Sequence, residues 1–138
     1  MKKATLILIF LGIILSTSSI TAQKKFTRFY EEDGISFHYK WKRTQCLKKE
    51  SPLMLVLMVD NSRENHASIT FIVDYYWQGI RTASSEPKEI CLKANKKMKG
   101  KYRNLAFDRS RFTNEDLFSN NFILGVSGLE VQKVTKCN

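Results

Sequence analysis

The sequence predicts an all-β protein, an antiparallel β-sandwich of about seven or eight short strands, and three observations support this fold class. Apolar and polar residues alternate with a period of two along residues 35–42 and 67–77, which is typical of half-buried strands. Turn-forming residues recur at short intervals between the apolar runs. The chain has no repeat of about 20–50 residues and no helical segments between the strands, which disfavours a parallel α/β fold.

The first 22 residues have the layout of a secretory signal peptide. Lys2 and Lys3 precede the apolar run 4–15, and a small polar segment leads to a cleavage site after Ala22. The run is short for a helix that crosses about 30 Å of hydrocarbon, although an uncleaved anchor is the alternative. Cleavage leaves 116 of the 138 residues, with a net charge of +8. The lysine pair and the Ala-Gln junction resemble bacterial export signals, those of Bacteroidota in particular.

The remaining chain is predicted to form one domain over residues 34–138, preceded by a polar lead-in segment, residues 23–33, that is either a strand or a loose arm. The first clear strand covers 35–42. Residues 53–59 are apolar on both faces, which predicts a central strand covered on both sides. The alternating run 67–77 follows as the next long strand.

Shorter elements follow the long strands. Residues 80–83 and 90–92 are predicted strands, the basic stretch 93–101 ends at a glycine turn, and 102–107 is a predicted returning strand. This arrangement would make residues 88–103 a basic hairpin.

The last part of the chain carries two local signals. Thr113 and Asp116 are spaced as in a capping box and predict one helical turn. Residues 122–134 form two strand-like halves, and the glycines Gly125 and Gly128 predict a bulge or bend between them.

The stretches 52–61 and 67–79 resemble the paired central strands of immunoglobulin-like domains in small exported proteins of Bacteroidota, whose function is uncharacterised. The resemblance implies an immunoglobulin-like form of the β-sandwich and carries no function. The Cys-Trp-Cys signature of antibody domains does not fit, because Cys46 precedes the first of these strands and Trp77 ends the second.

The three cysteines, Cys46, Cys91 and Cys137, allow one disulfide and leave one thiol. Export makes a disulfide reasonable, because oxidising compartments preserve it. The first strand of a sandwich often runs beside the last, which would bring Cys46 and Cys137 together at one end. We therefore favour the pair Cys46–Cys137, with Cys91 as a small core residue and the other pairings left open.

No residue set predicts catalysis or a cofactor. His38 lies on the polar face of a strand and His66 in or beside a polar turn, and both are expected at the surface. Zinc-ligand spacings such as HxH, HExxH and CxxC are absent from the sequence. Asp74 is expected to point to solvent from the outer face of its strand, and a partly buried acid paired with a lysine or arginine is the alternative. We expect no catalytic residue, no metal and no cofactor.

The basic residues are the strongest functional signal. Residues 88–103 contain seven lysines and arginines against one acid, and residues 40–49 contain five and no acid. Neighbouring stretches would form one positive patch for an anionic ligand, and a solvated hairpin that maintains solubility is the alternative. Nucleic acid is not expected, because no aromatic residue interrupts 93–101. The candidate anion-binding residues are Lys93, Lys96, Lys97, Lys99, Lys101 and Arg103.

The sequence therefore favours an exported, periplasmic or extracellular, non-enzymatic protein with a partner-binding or structural role in the bacterial cell envelope. The partner is unknown, and an envelope protein or an acidic glycan would fit the charge. One alternative is an adhesin-like module that binds glycans or anionic surfaces through residues 88–103 and the aromatic cluster 75–77. Another is a small secreted inhibitor or hydrolase. No stable membrane span is expected after signal cleavage.

Overall fold

The computed structural model describes residues 25–100 and 103–138, so the predicted signal peptide and Lys101 lie outside the described residues. The described chain is all-β, with two antiparallel sheets. The elements, in chain order, are β1 (Thr27–Glu32), β2 (Ile35–Arg43), β3 (Leu53–Asn61), β4 (His66–Trp77), β5 (Ile80–Ser84), β6 (Lys88–Leu92), β7 (Lys96–Lys99), β8 (Ala106–Phe107), a 3₁₀ helix (Asp116–Phe118) and β9 (Phe122–Val134).

The first sheet is built around β3. Strand β2 pairs with the whole length of β3 on one side, and β1 pairs with the other edge of β2. The second edge of β3 is shared by the short strands β7 and β8. The predicted lead-in segment therefore contributes an edge strand, and β7 lies one strand away from β2.

The second sheet is built around β4. Strand β9 pairs along one edge of β4, and β5 and β6 divide the other edge between them. The register between β4 and β9 shifts between Thr70 and Ile72. Gly128, which has φ +57, lies on β9 at this shift, and glycine adopts that conformation without strain. The bulge predicted within residues 122–134 is confirmed.

The inner faces of the two sheets pack against each other to form the core. The Phe37 and Phe71 rings, one from each sheet, have centroids 4.9 Å apart, and those of Trp41 and Phe122 are 5.9 Å apart. Each fully buried side chain of this size contributes about 1.5–3 kcal/mol of transfer free energy. The prediction that β3 is covered on both faces is confirmed only in part, because Val56 points away from the core and is 4% exposed, whereas Met54 and Met58 on the same face are half-buried.

The basic stretch 88–103 is not a hairpin, because β6 belongs to the second sheet and β7 to the first. The chain crosses between the sheets at residues 93–95, after Leu92 has entered the core and before Met98 pairs with Val59. The predicted strand at 102–107 is reduced to Ala106–Phe107 among the described residues. Leu92 and Met98 determine where the chain crosses, because Leu92 packs into the core from the second sheet and Met98 packs against the core from the first.

The capping box predicted from Thr113 and Asp116 is confirmed. The backbone N–H of Asp116 donates to Thr113 Oγ1 at 3.2 Å, and the backbone N–H of Thr113 donates to Asp116 Oδ2 at 2.8 Å. The single helical turn follows, and its Leu117 is buried. Reciprocal hydrogen bonds of this kind satisfy backbone donors that a helix start leaves unpaired.

The predicted Cys46–Cys137 disulfide is wrong, because the structure joins Cys91 to Cys137 with a Cα–Cα distance of 5.5 Å. The prediction assumed that the first clear strand, which is β2, runs beside the last strand, but β2 and β9 lie in different sheets. The segment after β9 instead crosses the start of β4 and reaches β6. Cys91 is opposite Ser68 on the outer face of the second sheet, so it is not a core residue, and Cys46 is an exposed free thiol.

Candidate anion-binding surface

The two basic stretches of the sequence meet on the outer face of the first sheet. Lys40 and Lys42 of β2 lie opposite Val56 and Met54 of β3. On the other side of β3, Lys99 of β7 lies opposite Met58. Directly opposed residues share a face and adjacent strands are about 4.8 Å apart, so about 10 Å of sheet separates the two rows of lysines.

A shallow groove of about 410 Å³, which we call the face groove, lies between these rows. Its charged lining residues are Lys40, Lys42, Arg43 and Lys99. Its apolar lining residues are Phe26, Met54 and Val56. The face groove thus combines an apolar floor with a cationic rim.

A second hollow of about 620 Å³, which we call the edge groove, lies along the edge where β6 and β7 face each other. The Cys91–Cys137 disulfide forms part of its wall, together with Leu92 and Met98. Its cationic lining residues are Lys93, Lys96, Lys97, Lys99 and Arg103. Lys99 lines both grooves, so the two grooves form one continuous basic surface.

Few anionic groups lie on this surface. Among the described residues no acidic side chain lines either groove, and Asn138, which carries the terminal carboxylate, lines the edge groove. Within residues 25–100 and 103–138, the only ion pair of a groove lysine is that of Lys97 Nζ with Asp60 Oδ2, at 3.5 Å. The Lys97 side chain is 60% exposed, and an exposed pair of this kind is weak because water and salt screen it.

Hydrogen bonds to the side chains of Asn61 and His66 hold the crossover, which contains Lys93 and leads directly to Lys96 at the start of β7. The Nδ2 group of the fully buried Asn61 donates to the carbonyl oxygens of Asn65 at 2.9 Å and of Lys93 at 3.2 Å. The backbone N–H of Ala94 donates to His66 Nδ1 at 2.9 Å. The basic side chains therefore project from a backbone that is held in place before any ligand binds.

Both histidines differ in part from the exposed positions that the sequence predicts. His66 is half-buried, because its ring accepts the hydrogen bond that anchors the crossover. His38 lies opposite Met58 on the outer face of the first sheet and is also half-buried. Burial lowers its pKa, and Lys97 and Arg28 add to this effect against the opposing pull of Asp60. The folded environment of His38 therefore disfavours its charged form.

Asp74 lies on the outer face of the second sheet as predicted, but the expectation that it points to solvent is wrong because it is fully buried. Ser84 Oγ donates to its Oδ1 at 2.5 Å, and Arg81 Nη1 is 4.0 Å from the same atom. The Tyr76 ring lies against Gly125, which pairs with Asp74 across β4 and β9. The alternative of a buried acid beside an arginine is thus the one that the structure shows.

The aromatic cluster 75–77 belongs mainly to the core. Tyr75 is 3% exposed, stacks on Phe112 and donates its hydroxyl to the carbonyl oxygen of Asp108 at 2.8 Å. Trp77 also packs against Phe112, with ring centroids 5.9 Å apart. Only Tyr76 faces outward, so the cluster provides no row of exposed rings.

Five of the six candidate anion-binding residues line the edge groove, and the sixth, Lys101, lies outside the described residues. Of the basic residues in the second stretch, those of β2 (Lys40, Lys42 and Arg43) line the face groove. Lys48 and Lys49 border a separate hollow with Glu50. Phe26 and Met54 were not predicted as site residues. The apolar residues on both faces of β3 were the sequence signal that could have indicated Met54.

In the described part of the chain, no three histidine, cysteine, aspartate or glutamate side chains are grouped in a way that could hold a metal ion. The same residues contain no helix with the length and apolarity that crossing a membrane requires. Comparisons with known proteins find no matching protein family, no similar curated protein and no similar solved structure. The function is therefore argued from the geometry of the two grooves.

Proposed function

We propose that this chain is an exported, non-enzymatic β-sandwich protein that binds an acidic component of the bacterial cell envelope through the edge groove. The observation that carries the proposal is the convergence of five cationic side chains on one hollow without an acidic side chain. Cations that line a concave surface reinforce one another's potential, which attracts and retains anionic ligands.

The edge groove is suited to a ligand with repeated negative charges. Its cations come from the crossover, from β7 and from the following turn, so they are distributed along the groove. The hydrogen bonds of Asn61 and His66 hold the crossover, which reduces the ordering cost of binding. An acidic glycan matches this distribution, and an acidic segment of an envelope protein is the second partner of the same chemistry.

Export is supported by two independent features. The leader has the layout of a signal peptide, and the Cys91–Cys137 disulfide is of a kind that persists in oxidising compartments. Both features favour the periplasm or the extracellular space.

The immunoglobulin-like form of the sandwich stays a prediction. In its favour, β3 and β4 are central strands, one in each sheet. Against it, β1, β2 and β3 share one sheet, whereas the third strand of an immunoglobulin constant domain lies in the second sheet.

The binding proposal is tested with the triple variant Lys93→Glu, Lys96→Glu and Arg103→Glu. We expect the triple variant to lose at least about tenfold in affinity for an acidic polysaccharide such as polygalacturonate, and the wild-type affinity to fall with added salt. The control, Lys48→Glu with Lys49→Glu and Arg111→Glu, makes the same change in net charge at residues that do not line the edge groove.

Calorimetric titration at low and at physiological salt gives the affinities, and thermal unfolding verifies that each variant folds. Equal losses in the triple variant and the control would show that only net charge matters and would overturn the proposal. Turnover of any substrate by the purified protein, abolished by one substitution, would overturn the non-enzymatic part.

A further inference from the structure

We infer that the face groove is a binding site for a free, single-chain anionic amphiphile, with the alkyl chain on the apolar floor and the anionic head at the cationic rim. This inference goes beyond the proposed function and uses a different groove. Among the described residues the two grooves share only Lys99, so either proposal can fail without the other.

The floor of the face groove is apolar on a sheet face that would ordinarily be polar. Met54 and Val56 point outward from β3, because their neighbours Leu53, Leu55 and Leu57 face the core. A solvated outer face normally carries polar residues at such positions. Methionine side chains are flexible and polarizable and adapt to irregular apolar ligands, so this floor fits an alkyl chain.

Phe26 extends the floor from the segment that precedes β1. It is half-buried and lines the groove beside Val56. The Lys40 ammonium lies 4.6 Å from the centroid of its ring, within the range of a cation–π contact. The ring is therefore in contact with a residue of the rim and adds to the apolar lining of the groove.

The rim is cationic and available. Lys42 and Lys99 are exposed, and neither makes an ion pair among the described residues. Lysine stems lie along apolar surface while the ammonium groups stay in water. A carboxylate, sulfate or phosphate head at the rim would meet these ammonium groups while the chain behind it covers Met54.

The combination of floor and rim selects this occupant over others. A volume of about 410 Å³ lies within the range of small-molecule sites, about 300–1,000 Å³. A polyanion without an alkyl chain would leave the apolar floor uncovered, and an uncharged lipid would leave the rim cations unneutralised. A bilayer presents its head groups as a surface, whereas the floor is reached only by a chain that enters the groove.

The free thiol of Cys46 lines the face groove and provides a local readout. It is the one cysteine of the chain outside the disulfide, so a maleimide reports on this site alone. We expect laurate, below its micellar concentration, to slow the reaction of Cys46 with maleimide in the purified protein. Dodecanol, acetate and polygalacturonate should have little effect on this rate.

Affinity is measured by displacement of a dansylated undecanoate from the purified protein. Met54→Glu places a charge on the floor and should weaken laurate binding by roughly tenfold or more. Lys42→Gln removes one rim cation and should weaken it several-fold. The matched control Lys96→Gln changes only the edge groove and should leave laurate binding unchanged. Thermal unfolding identifies any variant that fails to fold, in which case Met54→Gln replaces Met54→Glu.

Three results would overturn the inference. They are displacement by dodecanol as effective as by laurate, full Cys46 reactivity at saturating laurate, and binding of anionic phospholipid vesicles in place of monomeric laurate. The proposals are separated by the same variants. Met54→Glu should retain polygalacturonate binding, and the triple variant of the edge groove should retain laurate binding.

Discussion

Removal of the Cys91–Cys137 disulfide is expected to destabilise the protein strongly, because the bond closes a long loop of the chain. The two cysteines are separated by 46 residues in sequence. They join β6, on one edge of β4, to the segment that follows β9, on the opposite edge. The pairing of β9 with β4 ends at Val134, so the disulfide is what joins the following segment to β6.

The magnitude follows from the entropy of the unfolded chain. For a closed loop of about 46 residues, the chain-entropy relation gives about 13–14 cal/mol/K, or about 4 kcal/mol at 25 °C. A domain of this size has a free energy of unfolding of about 5–15 kcal/mol. The double variant Cys91→Ser with Cys137→Ser should therefore lose a large fraction of its stability.

The assay is equilibrium unfolding in urea, followed by fluorescence and circular dichroism. With a slope of about 2 kcal/mol/M, a loss of about 4 kcal/mol lowers the midpoint by about 2 M. The control Cys46→Ser changes an exposed side chain and should shift the free energy by less than about 0.5 kcal/mol. A loss below about 1 kcal/mol in the double variant, or an equal loss in Cys46→Ser, would refute the assigned pairing and its energetic role.

Three further predictions concern buried polar contacts, close packing and pH. Asn61→Ala should cost about 3 kcal/mol in urea unfolding, since it leaves the carbonyl oxygens of Asn65, in the turn before β4, and of Lys93, in the crossover, without their donor. Gly125→Ala should cost about 1–3 kcal/mol, because a Cβ there would lie 2.9 Å from Tyr76 Cε2; the cost should shrink when Tyr76 is also alanine. The pKa of His38 is lowered in the folded state from 6.5, so the unfolded chain binds more protons. Its contribution to stability is therefore fully present above pH 6.5 and is lost as pH falls below 6.5 through the lower pKa of the folded state, and His38→Gln should flatten this part of the pH profile.

Each of these predictions has a clear contrary result. Unchanged stability of Asn61→Ala would mean that the crossover is held by other contacts. Additive costs at Gly125 and Tyr76 would show that the two side chains do not clash. A pH profile of His38→Gln that keeps the wild-type slope near pH 6 would assign that slope to another group.

The local elements of the fold were predictable because they depend on short-range patterns. Alternation with a period of two identified β2 and β4, and the doubly apolar run identified β3 as central. The spacing of Thr113 and Asp116 gave the capping box. In each case the signal lies within a few residues, where backbone geometry directly relates sequence spacing to direction.

The candidate site was predictable only in part. The composition of residues 88–103 identified lysines that now line the edge groove, but it suggested a hairpin. The face groove depends on β2 and β7 flanking β3, and this neighbourhood joins residues about 60 positions apart in the sequence. Phe26 also lines the face groove through a long-range contact, because no residue near it in the sequence indicates that it lies beside Met54 and Val56 of β3.

The all-β class, the positions of the main strands, the inner and outer faces of β2, β3 and β4 and the excess of positive charge were predictable from the sequence, whereas the outward position of Cys91 was not. Three features depend on long-range contacts and were not predictable from the sequence. They are the partner of Cys137, the burial of Asp74 and the meeting of the two basic stretches on one surface. Alternation with a period of two indicates on which face of its strand a side chain lies. It does not state which strand lies beside it, because that choice is made by long-range pairing and by packing of the two sheets.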